Sequence, residues 1–277
     1  MDAVADHLAR TAIGFVCLLA AIVFVARLFE VSFAVEPDPP RKQFWFDYKI
    51  VAVCLLLPWL LSSVTAFTSG ALVAACGGGL IRLRSDGWWF APSLLAYLIA
   101  YDFYRYWMHR LQHVVPWMWS IHSLHHSAQT LSFITGARHH WLDSVINKGF
   151  FAFFPVLFRT PPEIILMGSF ITFLPDTCAH LNVRLSLGRF ALWINNPQYH
   201  RIHHSLRPEH LDKNFAAVFP FWDVVFGTVW RPALDEFPST GLADGDRPRS
   251  VWDGVIWPFR RLPVIAARPR ELRSARN

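Results

Sequence analysis

Histidine stands at positions 7, 109, 113, 122, 125, 126, 139, 140, 180, 200, 203, 204 and 210 of this chain, twelve of the thirteen beyond residue 100. His109 and His113 form HxxxH, His122, His125 and His126 form HxxHH, and His200, His203 and His204 form a second HxxHH. On a helix, residues three and four apart share a face, so each box aims two or three imidazoles at one point. Eight inward-facing imidazoles exceed the four ligands of one tetrahedral zinc and suit two metal ions. A lone histidine is ordinarily a surface or hydrogen-bonded core residue; burying three boxes without metal would be expensive.

The ligand type leaves the metal open, because imidazole suits iron, zinc and copper alike. No HExxH is present, which disfavours an intramembrane zinc protease. No ExxH is present either, which excludes the carboxylate-bridged di-iron bundle in its usual form. The residues by themselves point to a histidine-rich, dinuclear transition-metal site at a membrane surface. Carboxylates usually orient metal-bound imidazoles, and the candidates are Asp102, Asp143, Asp176 and Asp223.

The elements that must hold these residues are apolar. The 277-residue chain is 53% hydrophobic and 17% charged, with 13 Trp and 24 Phe, whereas soluble domains carry about 25% charged residues. That balance excludes disorder, collagen and coiled coil and implies extensive contact with lipid. The net charge of +6 gathers at the C-terminus and beside apolar runs, a pattern for an anionic membrane surface rather than nucleic acid. The four cysteines form no CxxC and read as small buried hydrophobes.

A crossing helix needs about 20 apolar residues. Residues 11–29 read as a retained anchor, and residues 50–81 as a longer stretch kinked near Pro58 and ended near Gly77 to Gly79. Trp88 and Trp89 mark an interfacial belt, and a third helix runs through Tyr101 into a turn around Asp102 and Arg105. The runs 149–158 and 164–174, split by Arg159 and Pro161-Pro162, form a transmembrane or re-entrant hairpin. The hairpin returns the chain to the face it left, so all three boxes can meet. Arg105, Arg110, Arg138 and Arg201 favour the cytoplasmic face, with Arg82 and Arg84 opposing. The expected fold is an all-α integral membrane protein with about four transmembrane or re-entrant helical segments and a cytosolic, helical, histidine-rich metal-binding region. The aromatic run from Tyr101 to Trp107 reads as interfacial belt more than tunnel lining.

From about Tyr101 to Trp230 the chain resembles the fatty acid hydroxylase/sterol desaturase superfamily of integral-membrane di-iron oxygenases. His109-Arg-Leu-Gln-His113, His122-Ser-Leu-His125-His126 and the stretch from Asn196 through His200 to Ser205 are similar to its three boxes. Arg138-His139-His140-Trp141-Leu142-Asp143 is similar to its Arg-x-His-Pro-Leu-Glu segment, which matches His140 and departs at Trp141 and Asp143. His180-Leu-Asn182 resembles its His-x-Asn element. Asp212-Lys-Asn214-Phe215 and Trp222-Asp223-Val-Val-Phe226-Gly227-Thr228 resemble its closing motifs.

The resemblance implies a catalytic domain over residues 101–230, between an N-terminal transmembrane region (1–100) and a basic tail (231–277) that reads as a membrane-surface segment. It implies His109, His113, His122, His125, His126, His180, His200, His203 and His204 as metal ligands, with His140 as a further candidate. It also implies two iron ions, with zinc as a possible substitute, and O2 as co-substrate for oxidising an unactivated lipid C–H bond. The chain has no nucleotide-binding glycine fingerprint and no haem attachment site, so an external donor is expected: a ferredoxin, a cytochrome b5-like protein or a reductase. Lipid hydroxylation is the leading expectation, a sterol or carotenoid-type desaturase or hydroxylase the alternative. A histidine-rich metal transporter is the reading from another class, although transit sites ordinarily lie at the bilayer midplane.

Overall fold

The computed structural model describes residues 21–39, 41–151 and 154–267. His7 and residues 11–20 of the expected anchor lie outside the described residues; residues 21–33 are helical (α1). Then come α2 (Arg41–Leu60), α3 (Ser62–Ala75), α4 (Phe90–Val114), α5 (Pro116–His126), α6 (Phe133–Gly136) and α7 (Trp141–Phe151). They are followed by α8 (Phe154–Leu157), α9 (Pro162–Cys178), α10 (Pro197–His203), α11 (Phe221–Val225), α12 (Val251–Val255) and α13 (Trp257–Ala267). Two-residue strands β1 (Ile81–Arg82) and β2 (Phe158–Arg159) pair in parallel, Ile81 opposite Phe158.

Proline and glycine place the breaks. Helix α2 contains Pro58, which cannot donate to the helical ladder, and it ends two residues later at Leu60. Helix α3 runs out into Gly77, Gly78 and Gly79, at φ of 78°, 67° and 45°. Only glycine enters that region freely. At Gly79 a Cβ would also overlap the Arg159 backbone, and β1 and β2 pair beside this contact. The β contact marks one end of four helical limbs. α2–α3 and α7–α8 lead toward it, while α4 and α9 lead away from it toward the histidines. α4 packs on α9, and α2 and α3 on α7. Between the second and third boxes the chain therefore descends once and returns once.

The limbs show apolar side chains outward: Phe67 is 77% exposed, Leu166 74% and Phe170 73%. An apolar surface of that extent marks a contact with lipid or protein. Among the described residues one helix, Arg41–Leu60, is long and apolar enough to cross a bilayer. Helix length thus does not establish the four crossings the sequence suggests. α9 has 17 residues, about 26 Å at 1.5 Å per residue, less than the hydrocarbon thickness of about 30 Å.

Three other expectations need correction. No turn forms at Asp102: α4 continues unbroken for 25 residues to Val114. The stretch from Ser93 to Val115 contains neither Gly nor Pro, and both charges find partners across the fold. The region read as a tail packs into the body, with Trp257 fully buried beside Ile50, Cys54, Leu124 and Leu242 and its Nε1–H donating to Ser123 Oγ at 2.9 Å. α13 thereby backs the helix that carries the second box. Of the cysteines, Cys54 is buried as expected, but Cys76 is exposed and Cys178 half-buried.

Candidate metal centre

The first two boxes meet because of Pro116. The residue before a proline is driven out of the helical region, and Val115 is extended at φ −86°, ψ 118° while Pro116 starts α5. The elbow folds α5 back on α4, facing His122 and His126 toward His109 and His113. The third box is set by Asn196, whose side chain accepts from the Tyr199 amide at 3.1 Å to cap α10, with Pro197 at the first helical position. His180 arrives from the end of α9. Gly136 lets it sit close, since a Cβ there would lie 3.0 Å from the imidazole.

The nine histidines separate into two groups. His109, His113, His122, His126 and His203 form one, and His125, His180, His200 and His204 the other, with the facing ring nitrogens of each group within 4.8 Å of one another. Nε2 of His126 lies 3.1 Å from that of His113 and 3.2 Å from that of His203. In the second group Nε2 of His180 is 3.1 Å from His125 and 2.9 Å from His200, which is 3.1 Å from His204.

The opposite ring nitrogens decide what these contacts are. His109 Nδ1 is 2.8 Å from the Phe215 carbonyl and His203 Nδ1 is 2.8 Å from the Lys213 carbonyl. A carbonyl only accepts, so each Nδ1 carries the proton and each Nε2 presents a lone pair. Nε2 of His122 is buried without a partner among the described residues. Lone pairs converging at such distances repel unless a cation lies between them. Metal–imidazole bonds of about 2.0–2.1 Å place two ligands at right angles about 3 Å apart, the spacing seen here. The donor sets therefore fit transition-metal ions.

Burial, reinforced by neighbouring imidazoles, holds His125, His126, His200 and His204 well below the ordinary histidine range. It brings His180 down to about 4 and His203 to about 3. At neutral pH these rings are uncharged, the state that ligates metal.

The carboxylates behave unequally. Asp143 touches the site: its Oδ2 is 3.4 Å from His122 Nδ1 and 3.0 Å from His139 Nδ1, and Gln112 donates to its Oδ1. The other three do not reach an imidazole. Asp102 accepts from the Val218 and Phe219 amides at 3.0 Å each. The Asp176 carboxylate is taken by Arg105 at 2.9 Å, and it is the Asp176 backbone carbonyl that faces His180 Nδ1, at 3.4 Å. Asp223 accepts from the Phe215 and Ala216 amides at 2.8 and 2.9 Å, from Tyr199 Oη at 2.9 Å and from Thr228 Oγ1 at 2.6 Å. It thus shapes the turn whose carbonyls reach His109 and His203.

His140 is not at the centre. Its Nε2 lies 2.8 Å from the Val255 carbonyl, and its Nδ1 accepts from the Leu142 amide at 3.2 Å. The neighbour His139 takes the place expected of it, stacked on His125 with ring centroids 4.2 Å apart and grouped with His122 and Asp143. Its four-residue spacing from Asp143 was the available signal. His210 lies outside both groups, with Nδ1 2.9 Å from Ser205 Oγ and Nε2 3.2 Å from Glu236. The backbone carbonyls of Lys213 and Phe215 had no side-chain signal at all.

Asp143→Ala is expected to weaken metal retention about 10–100-fold, the usual cost of losing an imidazole's orienting partner. Competition against a chelator of known affinity checks this, and unchanged retention would remove Asp143 from the site.

A cleft of about 500 Å³ reaches both groups. Tyr101, Tyr104, Met108 and Phe151 line its apolar part, and His109, His122, His125, His180 and His200 border it.

Fold and site together define a mostly helical protein with paired polyhistidine groups at one end of apolar helical limbs. Residues 94–228 match the fatty acid hydroxylase family. Human alkylglycerol monooxygenase is 32% identical over 216 residues, covering 69% of this chain and 48% of that protein. The ornithine lipid hydroxylase OlsE of Rhizobium tropici is 27% identical over 190 residues, covering 68% and 57%. A cholesterol 25-hydroxylase-like protein of Danio rerio is 28% identical over 144 residues, covering 50% and 55%. The chain spans between 30% and 48% of the length of the four alkylglycerol monooxygenases it matches. No solved structure matches it.

Proposed function

We propose that this chain is an O2-dependent lipid hydroxylase whose two histidine groups hold two iron ions. The observation that carries the reading is the cleft that runs from Tyr101 and Phe151 to imidazoles of both groups. Iron held there would supply the reduction of O2 and the oxidising power to attack an unactivated C–H bond. The protein's own contribution is positional. Tyr101, Tyr104, Met108 and Phe151 give an acyl chain an apolar path and exclude water from it. The Lys213 and Phe215 carbonyls hold the protons of His203 and His109 away from the ligand nitrogens. Asp143 orients His122.

Hydroxylation is favoured over desaturation because the similar proteins named above are a monooxygenase and hydroxylases. The apolar limbs support an integral-membrane, multi-pass arrangement, and the arginines around the boxes support a cytoplasmic site. There an external electron donor would reach it. Membranes containing the chain, supplied with a reductant system and 18O2, are expected to yield a lipid that has gained one labelled oxygen atom by mass spectrometry. An unchanged lipid profile under those conditions, or product formed under strict anaerobiosis, would overturn the proposal.

A further inference from the structure

A second cavity, of about 730 Å³, is bordered by the first turns of α2, by residues 127–130 directly after the second box, by Arg138 and by residues 247–251. Five cationic side chains border it: Lys42, Lys49, Arg138, Arg247 and Arg249. One carboxylate, Asp47, opposes them, and it is already engaged by Arg138 at 2.8 Å and Gln43 at 3.0 Å. Lys42, Lys49 and Arg249 have no ion-pair partner among the described residues, while Arg247 reaches Gln129 at 2.7 Å. Arg138 is fully buried, and its Nε has no acceptor among the described residues.

A concave surface lined by one sign of charge focuses its field and gathers counter-ions. Four uncompensated cations and a buried arginine with a donor to spare match an anion that offers several oxygens at once, the chemistry of phosphate. Position adds to charge. Lys42, Phe46 and Lys49 lie along one face of α2, the helix long and apolar enough to cross a bilayer. Trp45 beside them is 59% exposed. Basic residues and tryptophan at the end of a spanning helix sit at headgroup depth.

We infer that this cavity binds a phosphate group, that of an anionic phospholipid headgroup or free phosphate. The site is separate from the cleft and from the reaction proposed above. Arg138 links it to the second box, since it also donates to the Leu124 carbonyl at 3.2 Å and to Ser127 Oγ.

The test uses the full chain in neutral detergent, titrated separately with short-chain phosphatidylglycerol, short-chain phosphatidylcholine and inorganic phosphate, with bound species read by native mass spectrometry. One phosphatidylglycerol per chain is expected, in preference to phosphatidylcholine, if the source is lipid; saturation by inorganic phosphate alone assigns the site to the free anion. The triple variant Lys42→Gln, Arg247→Gln, Arg249→Gln changes exposed residues only and leaves Arg138 in place. It is expected to weaken binding of whichever probe binds by about tenfold or more, given the strength of charge-assisted contacts. Equal binding by variant and parent, equal binding of the anionic and zwitterionic lipids, or no stoichiometric binding of any probe would overturn the inference.

Discussion

His126→Ala and His200→Ala are each expected to reduce lipid oxidation to background. Each is expected to lower the metal content by one ion rather than two. The two residues are central to different groups: Nε2 of His126 contacts those of His113 and His203, and Nε2 of His200 contacts those of His180 and His204. Removing either takes a ligand from the middle of one set and leaves the other set whole. His140→Gln is the contrasting change. It is expected to disturb the bond to the Val255 carbonyl, at a stability cost of about 1 kcal/mol, and to keep the parent's metal content and turnover. Full turnover by His126→Ala or His200→Ala would show that the groups are not ligands of a working centre.

The second large effect is expected at Asp223, whose carboxylate bonds to no imidazole among the described residues. Replacement by Ala strands four donors, the Phe215 and Ala216 amides and the Tyr199 and Thr228 hydroxyls. Leaving buried partners of a carboxylate unsatisfied costs on the order of 3–5 kcal/mol, equivalent to a fall in melting temperature of roughly 10 °C for a chain of this size. The damage extends to the site, because the turn that loses its anchor supplies the carbonyls to His109 and His203. Asp223→Ala should therefore melt early in detergent and lose metal from the first group before the second. A melting temperature and a metal content both equal to the parent's would contradict this role.

Local periodicity made the candidate ligands within the boxes legible. The four-residue spacing kept His109 with His113, His122 with His126 and His200 with His204, whereas His125 and His203, three residues after the first histidine of their boxes, joined the opposite group. The glycines at 77 to 79 likewise marked the end of α3, because their conformation is a local property. Residues whose partners lie far away in sequence were not legible. Asp102 stood among the candidates to orient an imidazole, yet its carboxylate holds amides 116 and 117 residues distant. Motif matching offered His140 as a further candidate ligand, whereas the fold turns it toward Val255 and brings in His139. The Asp212-Lys-Asn214-Phe215 motif was visible, but its use was not. Asp212 and Asn214 adopt φ of 55° and 59°, and that backbone path aims two carbonyls at imidazoles of other elements. Trp257 looked like part of a surface tail because nothing near it reveals the face of α5 that it covers.

A dinuclear centre stands or falls on how many metal ions the two groups hold. The measurement is the metal-to-protein ratio of the folded chain, reconstituted anaerobically with ferrous iron, passed over a desalting column and assayed by elemental analysis. Two ions per chain, retained through the column, is the result the paired histidine groups predict. One ion, none, or a ratio that decays as weakly bound metal washes away would contradict a dinuclear centre.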